Sequence, residues 1–215
     1  MYVPAHFATE DADGLIQRLA RRWAGVLITV GDDGAPVGTH VPILWDAEKR
    51  IATGHIARAN PQWRGGAGKG LIVLNGREAY VSPAWYPSKA EHGKAVPTWN
   101  YEAVHITGAV EWFDDAARLE GVVRDLSAVH EHHRVEPWAI GDAPRPYIDA
   151  LLRGIVGVEL RAERIEAKRK LSQNKSEADF AGVARGLSAS DDPMAQEVAA
   201  LMRAERAVAD DPDGN

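Results

Sequence analysis

The chain of 215 residues contains no cysteine, and this absence restricts the chemistry that it can carry. Without thiols the chain can form no disulfide, no thiolate nucleophile and no cysteine-based metal site. It also lacks any apolar run near the roughly 18–20 residues that a membrane-spanning helix needs. Its first residues show neither the basic segment nor the apolar segment of a signal peptide. We therefore expect a cytoplasmic protein with no membrane partner.

Positive charge is also scarce, because 25 Lys and Arg residues are outnumbered by 31 Asp and Glu residues. Most of the net charge of −6 falls in residues 191–215, which hold seven acids and two arginines. A protein that holds duplex DNA by charge is expected to show a larger basic surface, and no helix-turn-helix pattern is visible. Nucleic acid is thus a possible partner that the composition does not support.

The sequence does contain the periodic patterns of strands with helices around them. Strands are predicted at 26–30, 37–45, 50–57, 71–75, 78–82, 100–113 and 155–165. Helices are predicted at 9–24, 177–187 and 193–208. Two more helices are predicted, one after Asp114 as its N-cap and a shorter one after Pro144. Asn75-Gly76 predicts a hairpin turn, residues 85–94 an exposed loop, and residues 210–215 a disordered tail. Short turns between the early strands make the sheet antiparallel, and such sheets commonly avoid open edges by closing into a barrel. The predicted fold is mainly β with flanking helices (α+β), an antiparallel barrel of six or seven strands.

Residues 54–63 are the segment on which the predicted site is centred. A strand ends here, because Asn60 precedes Pro61 and is therefore disfavoured in the helical region. The guanidinium of Arg58, together with the Asn60 amide, suits a phosphate, and Trp63 offers a face for a flat ring. The segment predicts the phosphate end of an aromatic cofactor. A turn with a solvated arginine is the simpler alternative.

Two later segments also carry polar or aromatic side chains. Residues 170–175 (Lys-Leu-Ser-Gln-Asn-Lys) hold ammonium, hydroxyl and amide donors, which suit a polar heterocycle or a phosphate as well as an ordinary loop. Residues 96–101 place Trp99 at the start of a strand, where core packing is favoured over ligand contact.

The histidines give weaker signals. His130 and His133 would share a helix face and could bind a metal, but no third ligand is near, so a solvated helix end is favoured. His55 and His105 could be general acids or bases. Since no carboxylate or nucleophile stands at a readable spacing from them, hydrogen-bonding roles are favoured. We predict no catalytic residue and no metal site.

Together these segments resemble the FMN-binding negative transcriptional regulators of the PaiB family. The matching residues run in the family's order: 1–7, 54–63, 79–86, 96–101 with Val104-His105, and 170–175 with Gly182-Val183. Two positions depart from the family pattern. Arg169 stands where an aromatic residue often precedes Lys-Leu-Ser-Gln-Asn, and Phe180 follows Asp179 where a basic residue is common. The match ends near residue 187, so the predicted domains are an FMN-binding split-barrel domain (1–187) and an acidic C-terminal helix and tail (188–215).

The resemblance implies an FMN-binding split β-barrel that forms a homodimer with the cofactor at the subunit interface. It also implies a set of cofactor-binding residues drawn from distant parts of the chain. These are Arg58, Ala59 and Asn60 near the phosphate, Val41 and Pro42 along the ring, Lys170, Ser172, Gln173 and Asn174 closing the pocket, and in addition His55, Trp63 and Trp99.

The family name implies a negative transcriptional regulator, and two alternatives stay open. One is a flavin-dependent oxidoreductase or flavin reductase that acts on a small acceptor. The other, less favoured, is a haem-binding or haem-degrading protein with His55 or His105 as an axial ligand. Because function inferred from a fold is an analogy, the sequence leaves open whether the protein is an enzyme.

Overall fold

The structure is a computed structural model that describes residues 1–210. The tail predicted to be disordered lies, from residue 211 onward, outside the described residues. Within residues 1–210 the strands are β1 (Gly25–Val30), β2 (Pro36–Val41), β3 (Ile43–Asp46), β4 (Ile51–Ala57), β5 (Gly68–Val81), β6 (Thr98–Phe113) and β7 (Ile155–Lys170). The α-helices are α1 (Ala12–Arg22), α2 (Ser88–His92), α3 (Ala116–Glu131), α4 (Arg145–Arg153), α5 (Glu177–Ser188) and α6 (Pro193–Asp210).

The predicted helices are present, with small corrections. α1, α5 and α6 lie where the periodicity places them, and α3 and α4 begin after Asp114 and Pro144. The N-cap of α3 is Asp115 rather than Asp114, because the Asp115 carboxylate accepts a hydrogen bond from the Arg118 N–H at 2.8 Å. The loop predicted at 85–94 contains the short helix α2.

The strands form one seven-stranded sheet in the order β2-β1-β5-β6-β7-β4-β3. β1 pairs with β2 and β5, and β4 pairs with β3 and β7, each time antiparallel. The predicted class, an antiparallel sheet of six or seven strands with flanking helices, is confirmed.

The two outer strands of this order, β2 and β3, are separated in the chain only by Pro42. Neighbouring strands lie about 4.8 Å apart, so in a flat sheet the outer two of seven would be roughly 29 Å apart. One residue spans only about 3.5 Å. The sheet must therefore curl until its edges meet at Pro42, as in a split barrel.

Pro42 also corrects the single strand predicted at 37–45. Proline has no N–H to donate to the ladder and a fixed φ, so it is not accommodated inside a central strand. The chain leaves one edge of the sheet at Val41 and joins the other edge at Ile43.

The hairpin predicted at Asn75-Gly76 is wrong, because β5 runs without a turn from Gly68 to Val81. A type I′ turn needs a positive φ at both central residues, and neither Asn75 nor Gly76 has one. What changes here is the face that is buried: residues 70, 72 and 74 are buried before the pair, and residues 79 and 81 after it. The Asn-Gly pair marks a change of burial phase within one strand.

Contacts between residues divide the chain into two units. The barrel unit, as we call it, comprises residues 11–74 and 104–166, and the terminal unit comprises residues 1–10, 75–103 and the described residues from 167 onward. In the barrel unit, α3 and α4 contribute to an apolar core that consists of Phe113, Leu119, Val122, Leu126, Ile148 and Leu152.

In the terminal unit, α5 and α6 share an apolar core that includes Val81, Phe180, Val183, Leu187, Val198 and Met202. A network of ion pairs adds to this packing. The Glu102 side chain, only 1% exposed, contacts Arg77 at 3.4 Å and Arg169 at 3.2 Å. These arginines also pair with acids of α6, Arg77 with Glu197 at 2.6 Å and Arg169 with Glu205. The predicted domain boundary between residues 187 and 188 stays a prediction.

Candidate functional site

The segment 54–63 lies in the barrel unit, where β4 ends and the chain turns. A 3₁₀ helix, Pro61–Gly65, follows the turn. Asn60 caps this helix, since its Oδ1 accepts from the Gln62 N–H at 2.9 Å, and its Nδ2 donates to Oγ1 of Thr39 at 2.8 Å. Ala59 is exposed at the tip of the turn. The predicted phosphate loop is therefore a turn fixed by the Asn60 amide.

Arg58 connects this turn to the end of α4. Its Nε donates to the carbonyl oxygen of Arg153 at 2.9 Å, and its Nη2 donates to that of Ile155 at 3.2 Å. A cation is favoured there because the last carbonyls of a helix carry partial negative charge. The third contact, from Nη1 to Oδ2 of Asp114, is longer at 3.4 Å, and the Asp114 side chain is 70% exposed. Two contacts thus position the guanidinium, and the third goes to an exposed carboxylate.

Trp63 lies close to the same arginine. Its Nε1 donates to the carbonyl oxygen of Arg58 at 2.9 Å. The guanidinium carbons of Arg58 and Arg64 each lie 5.9 Å from the centre of the indole ring. The arginine and the aromatic ring predicted for the cofactor site are thus brought together in the barrel unit.

A cavity of about 600 Å³ opens beside Arg58. Its charged lining residues are Arg58, Arg153, Asp114 and Asp149. Ala116, the first residue of α3, also lines it, and the N–H groups at a helix N-terminus favour an anion. Asp149 is paired with Arg145 at 2.8 Å, so a phosphate at Arg58 would take the place of the Asp114 carboxylate.

Val41 and Pro42, predicted to lie along the flavin ring, form the corner where β2 and β3 meet. Gly54 of β4 lies against this corner. A β-carbon at Gly54 would be 2.7 Å from the carbonyl oxygen of Pro42 and 2.9 Å from Cγ2 of Val41. Both distances are too short for a side chain, so only glycine allows the corner to approach β4. The structure therefore places the predicted ring residues next to the residue that precedes His55.

Gln62 is a structural residue that the sequence analysis did not single out. Its buried Nε2 lies within hydrogen-bond distance of three acceptors, the Leu27 carbonyl at 3.2 Å, the Thr29 hydroxyl at 3.0 Å and the Val37 carbonyl at 3.0 Å. The amide thus bridges β1 and β2. Its Oε1 is buried and has no hydrogen-bond partner within the described part of the chain. The feature of the sequence that could have indicated this role is the position of Gln62, an amide side chain directly after the capping residue Asn60 and Pro61.

His55 lies on β4 and lines a second cavity, of about 480 Å³, with residues of α3, α4 and the segment between them. Burial lowers the pKa of His55 from its ordinary value. Its Nδ1 is buried and finds no hydrogen-bond partner among residues 1–210. Burial likewise lowers the pKa of His105, which lies on β6.

The second group of predicted residues lies in the terminal unit. β7 continues through Lys170, beyond the end predicted at residue 165, so the basic residues 168–170 belong to the strand. Lys170 Nζ donates to Oγ1 of Thr98 at 2.5 Å and to the carbonyl oxygen of Trp99. Burial lowers the pKa of Lys170, and the neighbouring ammonium groups of Lys168 and Lys175 lower it further. Trp99 and Lys170 are thereby in contact.

Ser172 has a buried side chain and a φ of 65°, a left-handed conformation that is uncommon for residues other than glycine. Its hydroxyl exchanges two hydrogen bonds with the Asn100 amide, at 3.0 and 3.1 Å. Gln173 bonds to nearby backbone, since its Nε2 donates to the Arg169 carbonyl at 2.6 Å and its Oε1 accepts from the Leu171 N–H at 2.7 Å. These contacts shape the turn, and Asn174 is exposed on it.

Trp99 is half exposed and lies edge-on to Tyr80, with ring centres 6.1 Å apart. The core packing favoured for Trp99 from the sequence is therefore only partial. The two aromatic rings form an exposed pair on the surface of the terminal unit.

The predicted cofactor residues thus fall into two groups. Val41, Pro42, His55, Arg58, Ala59, Asn60 and Trp63 are in the barrel unit, and Trp99, Lys170, Ser172, Gln173 and Asn174 are in the terminal unit. Their joint role around one cofactor stays a prediction. In residues 1–210 no cluster of three His, Cys, Asp or Glu side chains is arranged to hold a metal ion. None of the described helices has the length and apolar character of a membrane span.

Comparison with known proteins gives both the fold and the family. Residues 1–164 match the family model described as "Putative FMN-binding domain". The chain is 32% identical over 206 residues to "Protease synthase and sporulation protein PAI 2" of Bacillus subtilis (strain 168), and the match covers 94% of this chain and 96% of that protein.

Two solved structures share the fold. Conserved hypothetical protein Rv2991 from Mycobacterium tuberculosis is 15% identical with a TM-score of 0.57, and the match covers 82% of this chain and 95% of that one. The FAD and haem binding protein from Mycobacterium smegmatis is 13% identical with a TM-score of 0.54, covering 77% and 75%. At these identities the likeness concerns the fold alone.

The curled antiparallel sheet is a split barrel, the fold of these two solved structures. Among proteins of this fold, the chain belongs to the FMN-binding family, and PAI 2 (PaiB) is one of its relatives. The cofactor of the chain is FMN. The resemblance drawn from the sequence is confirmed.

Proposed function

We propose that the protein is a homodimeric, FMN-dependent negative transcriptional regulator of the PaiB type that acts in the cytoplasm. The observation that carries the proposal is the likeness to PAI 2 of Bacillus subtilis, which spans 94% of this chain and 96% of that protein. A likeness over nearly the whole of both chains supports a shared role better than a shared cofactor domain would.

In this proposal the FMN phosphate binds at Arg58, Ala59 and Asn60. The contacts of Arg58 with the end of α4 hold its guanidinium in place, while the contact with Asp114 is the one that a phosphate replaces. An exposed ion pair contributes little to stability, and a phosphate can accept paired hydrogen bonds from a guanidinium just as a carboxylate does. The N-terminus of α3 beside the same cavity favours the same anion.

The ring of FMN is proposed to lie along Val41 and Pro42. This placement rests on the resemblance to the family. Because even a methyl group at Gly54 has no room against the corner, the ring would lie on a side of the corner other than the one that faces Gly54. The resemblance adds Trp99, Lys170, Ser172, Gln173 and Asn174 as further residues proposed to bind FMN.

The dimer is tested by light scattering during gel filtration of the FMN-loaded protein. We expect twice the subunit mass of 23.4 kDa and one FMN per subunit. A monomer that retains FMN would contradict the placement of the cofactor at a subunit interface.

The regulatory role is tested by the retardation of promoter fragments in gels, with and without FMN and at two salt concentrations. The net charge of −6 makes non-specific retention weak, so a salt-sensitive shift of particular fragments would support the proposal. If no fragment is retarded in either FMN state, direct control of transcription is wrong.

A flavin-dependent oxidoreductase is the second candidate function, and the cavity beside His55 favours it. That cavity lies in the same unit as the proposed phosphate residues and has room for a small acceptor. Oxidation of NADH that requires FMN and continues when an acceptor is supplied would support this reading. A rate no higher than that of free FMN would contradict it.

A further inference from the structure

The cavity beside His55 has the properties of a site for a small apolar molecule. Its volume of about 480 Å³ lies in the range of small-molecule sites, and all its lining residues are in the barrel unit. Aliphatic side chains such as Val123, Ile140 and Leu152 line it, and no acidic, lysine or arginine side chain is among its lining residues, all of which the structure describes. The site therefore suits an uncharged ligand and offers nothing to neutralise a phosphate.

The rim of this cavity is aromatic and exposed. Trp138, Tyr147 and Leu151 are 41%, 58% and 51% exposed although they are large apolar residues. Such residues seldom gather at a surface without a binding role, and two aromatic rings at an opening favour a flat ring between or upon them.

His55 supplies a specific polar partner. His55 lines the cavity, and its Nδ1 is buried and without a hydrogen-bond partner in the described chain. Such a nitrogen is costly to leave unpaired, so its pairing by a ligand would be favourable. Because burial lowers the pKa of His55, its imidazole is neutral at neutral pH and has one donor and one acceptor nitrogen. A hydroxyl group can pair with either.

We propose that this cavity binds a small, uncharged aromatic molecule with one hydroxyl group, a phenol in chemical class, whose hydroxyl pairs with the imidazole of His55. The proposal goes beyond the FMN-dependent function, and it assigns His55 to this second ligand rather than to the flavin. The phosphate of FMN is proposed at Arg58, which lines the other cavity.

The test uses 2-naphthol as the ligand and naphthalene, which lacks only the hydroxyl, as its matched control. We expect the FMN-loaded protein to bind 2-naphthol about 5–10 times more tightly than naphthalene, the usual effect of one buried hydrogen bond. His55→Leu should lower the affinity for 2-naphthol to that for naphthalene and leave the latter unchanged. A hydrogen bond elsewhere, or an unspecific apolar site, would leave the ratio of the two affinities the same in wild type and variant.

A second variant keeps the test meaningful if His55→Leu folds poorly. Ala143 lines the cavity and is only partly buried, so Ala143→Trp fills the space from its rim. We expect it to weaken both aromatic ligands at least tenfold while FMN binding persists, with circular dichroism showing that the fold is intact. Unchanged affinity for both ligands would overturn the proposal.

Competition separates this proposal from the proposed function. Saturating FMN should leave the affinity for 2-naphthol unchanged, and Arg58→Ala should weaken FMN binding but not 2-naphthol binding. Displacement of 2-naphthol by FMN would show that the cavity belongs to the flavin site, and the proposal would then be wrong. If FMN does not bind while 2-naphthol still does, the proposed function fails and the phenol site stands.

Discussion

Arg58 illustrates how far a candidate ligand residue could be inferred from sequence. The sequence predicted an arginine at a strand end but not its partners, because the carbonyls of Arg153 and Ile155 are nearly a hundred residues away in the chain. The structure shows that two backbone carbonyls hold the guanidinium of Arg58 in place, which would not be so for a solvated arginine in a turn. What remains for a phosphate is the side of the guanidinium that now meets the exposed carboxylate of Asp114.

Gly54 is a residue at which even the smallest substitution should lower the stability of the fold. Gly54→Ala would place a methyl group 2.7 Å from the carbonyl oxygen of Pro42. We expect the free energy of unfolding to fall by about 1–3 kcal/mol, the usual cost of overpacking. Urea denaturation measures this change. As the matched control, Gly68→Ala on β5 meets open space and should change stability by no more than about 0.5 kcal/mol.

His55 should make stability depend on pH. Burial lowers its pKa in the folded protein below the unfolded value of about 6.5, so the unfolded chain binds a proton more readily. Stability is therefore full above pH 6.5 and declines as the pH falls below it. The midpoint of urea unfolding should drop less between pH 7.5 and pH 5 in His55→Gln than in wild type. An equal drop in both proteins would show that His55 does not contribute.

At the scale of elements, periodicity identified the helices and most strands, and failures came where distant contacts decide. Pro42 divides a predicted strand because two sheet edges meet there, which local sequence does not encode. The Asn75-Gly76 pair has strong local turn chemistry, yet the ladder of β5 continues through it. The end of β7 was missed because its charged residues hide the alternation, although Lys168 is buried and forms a bridge with Ala8.

The acidic helix α6 is attached to the terminal unit by charge as well as by apolar packing. Glu102 of β6 lies between Arg77 and Arg169, and these arginines pair in turn with Glu197 and Glu205 of α6. Buried charges of this kind must be kept in balance, because removing one partner leaves the others uncompensated. The departure at Arg169 from the family pattern has its physical reason here.

Glu102→Gln should therefore lower the free energy of unfolding by about 3–5 kcal/mol. The control on the same strand is Glu111→Gln, whose ion pair with Arg118 at 3.1 Å is exposed and should be worth less than about 1 kcal/mol. Thermal unfolding followed by circular dichroism compares the two variants. Similar stability of both would mean that the buried network contributes no more than a surface pair.

For the whole molecule, the account depends on an FMN whose phosphate is bound at Arg58. The resemblance to the family predicted which residues bind FMN. The structure shows contacts among some of these residues within each unit, such as Arg58 with Trp63 and Trp99 with Lys170. The sequence could not specify that Arg58 already has partners or that an apolar cavity lies beside His55. Both depend on α3, α4 and the segment between them, which bring residues 114–155 to the end of β4.

The most direct measurement of the central claim is the affinity for FMN and for riboflavin, which lacks the phosphate, in wild type, Arg58→Ala and Asp114→Asn. Quenching of flavin fluorescence reports both ligands. We expect wild type to prefer FMN strongly, and Arg58→Ala to lose about 1.5–3 kcal/mol of FMN binding, the range for hydrogen bonds to charged groups, with no loss for riboflavin. Asp114→Asn, which removes the competing carboxylate, should bind FMN at least as well as wild type. Equal affinities of wild type for FMN and riboflavin, or equal FMN binding by wild type and Arg58→Ala, would contradict the account.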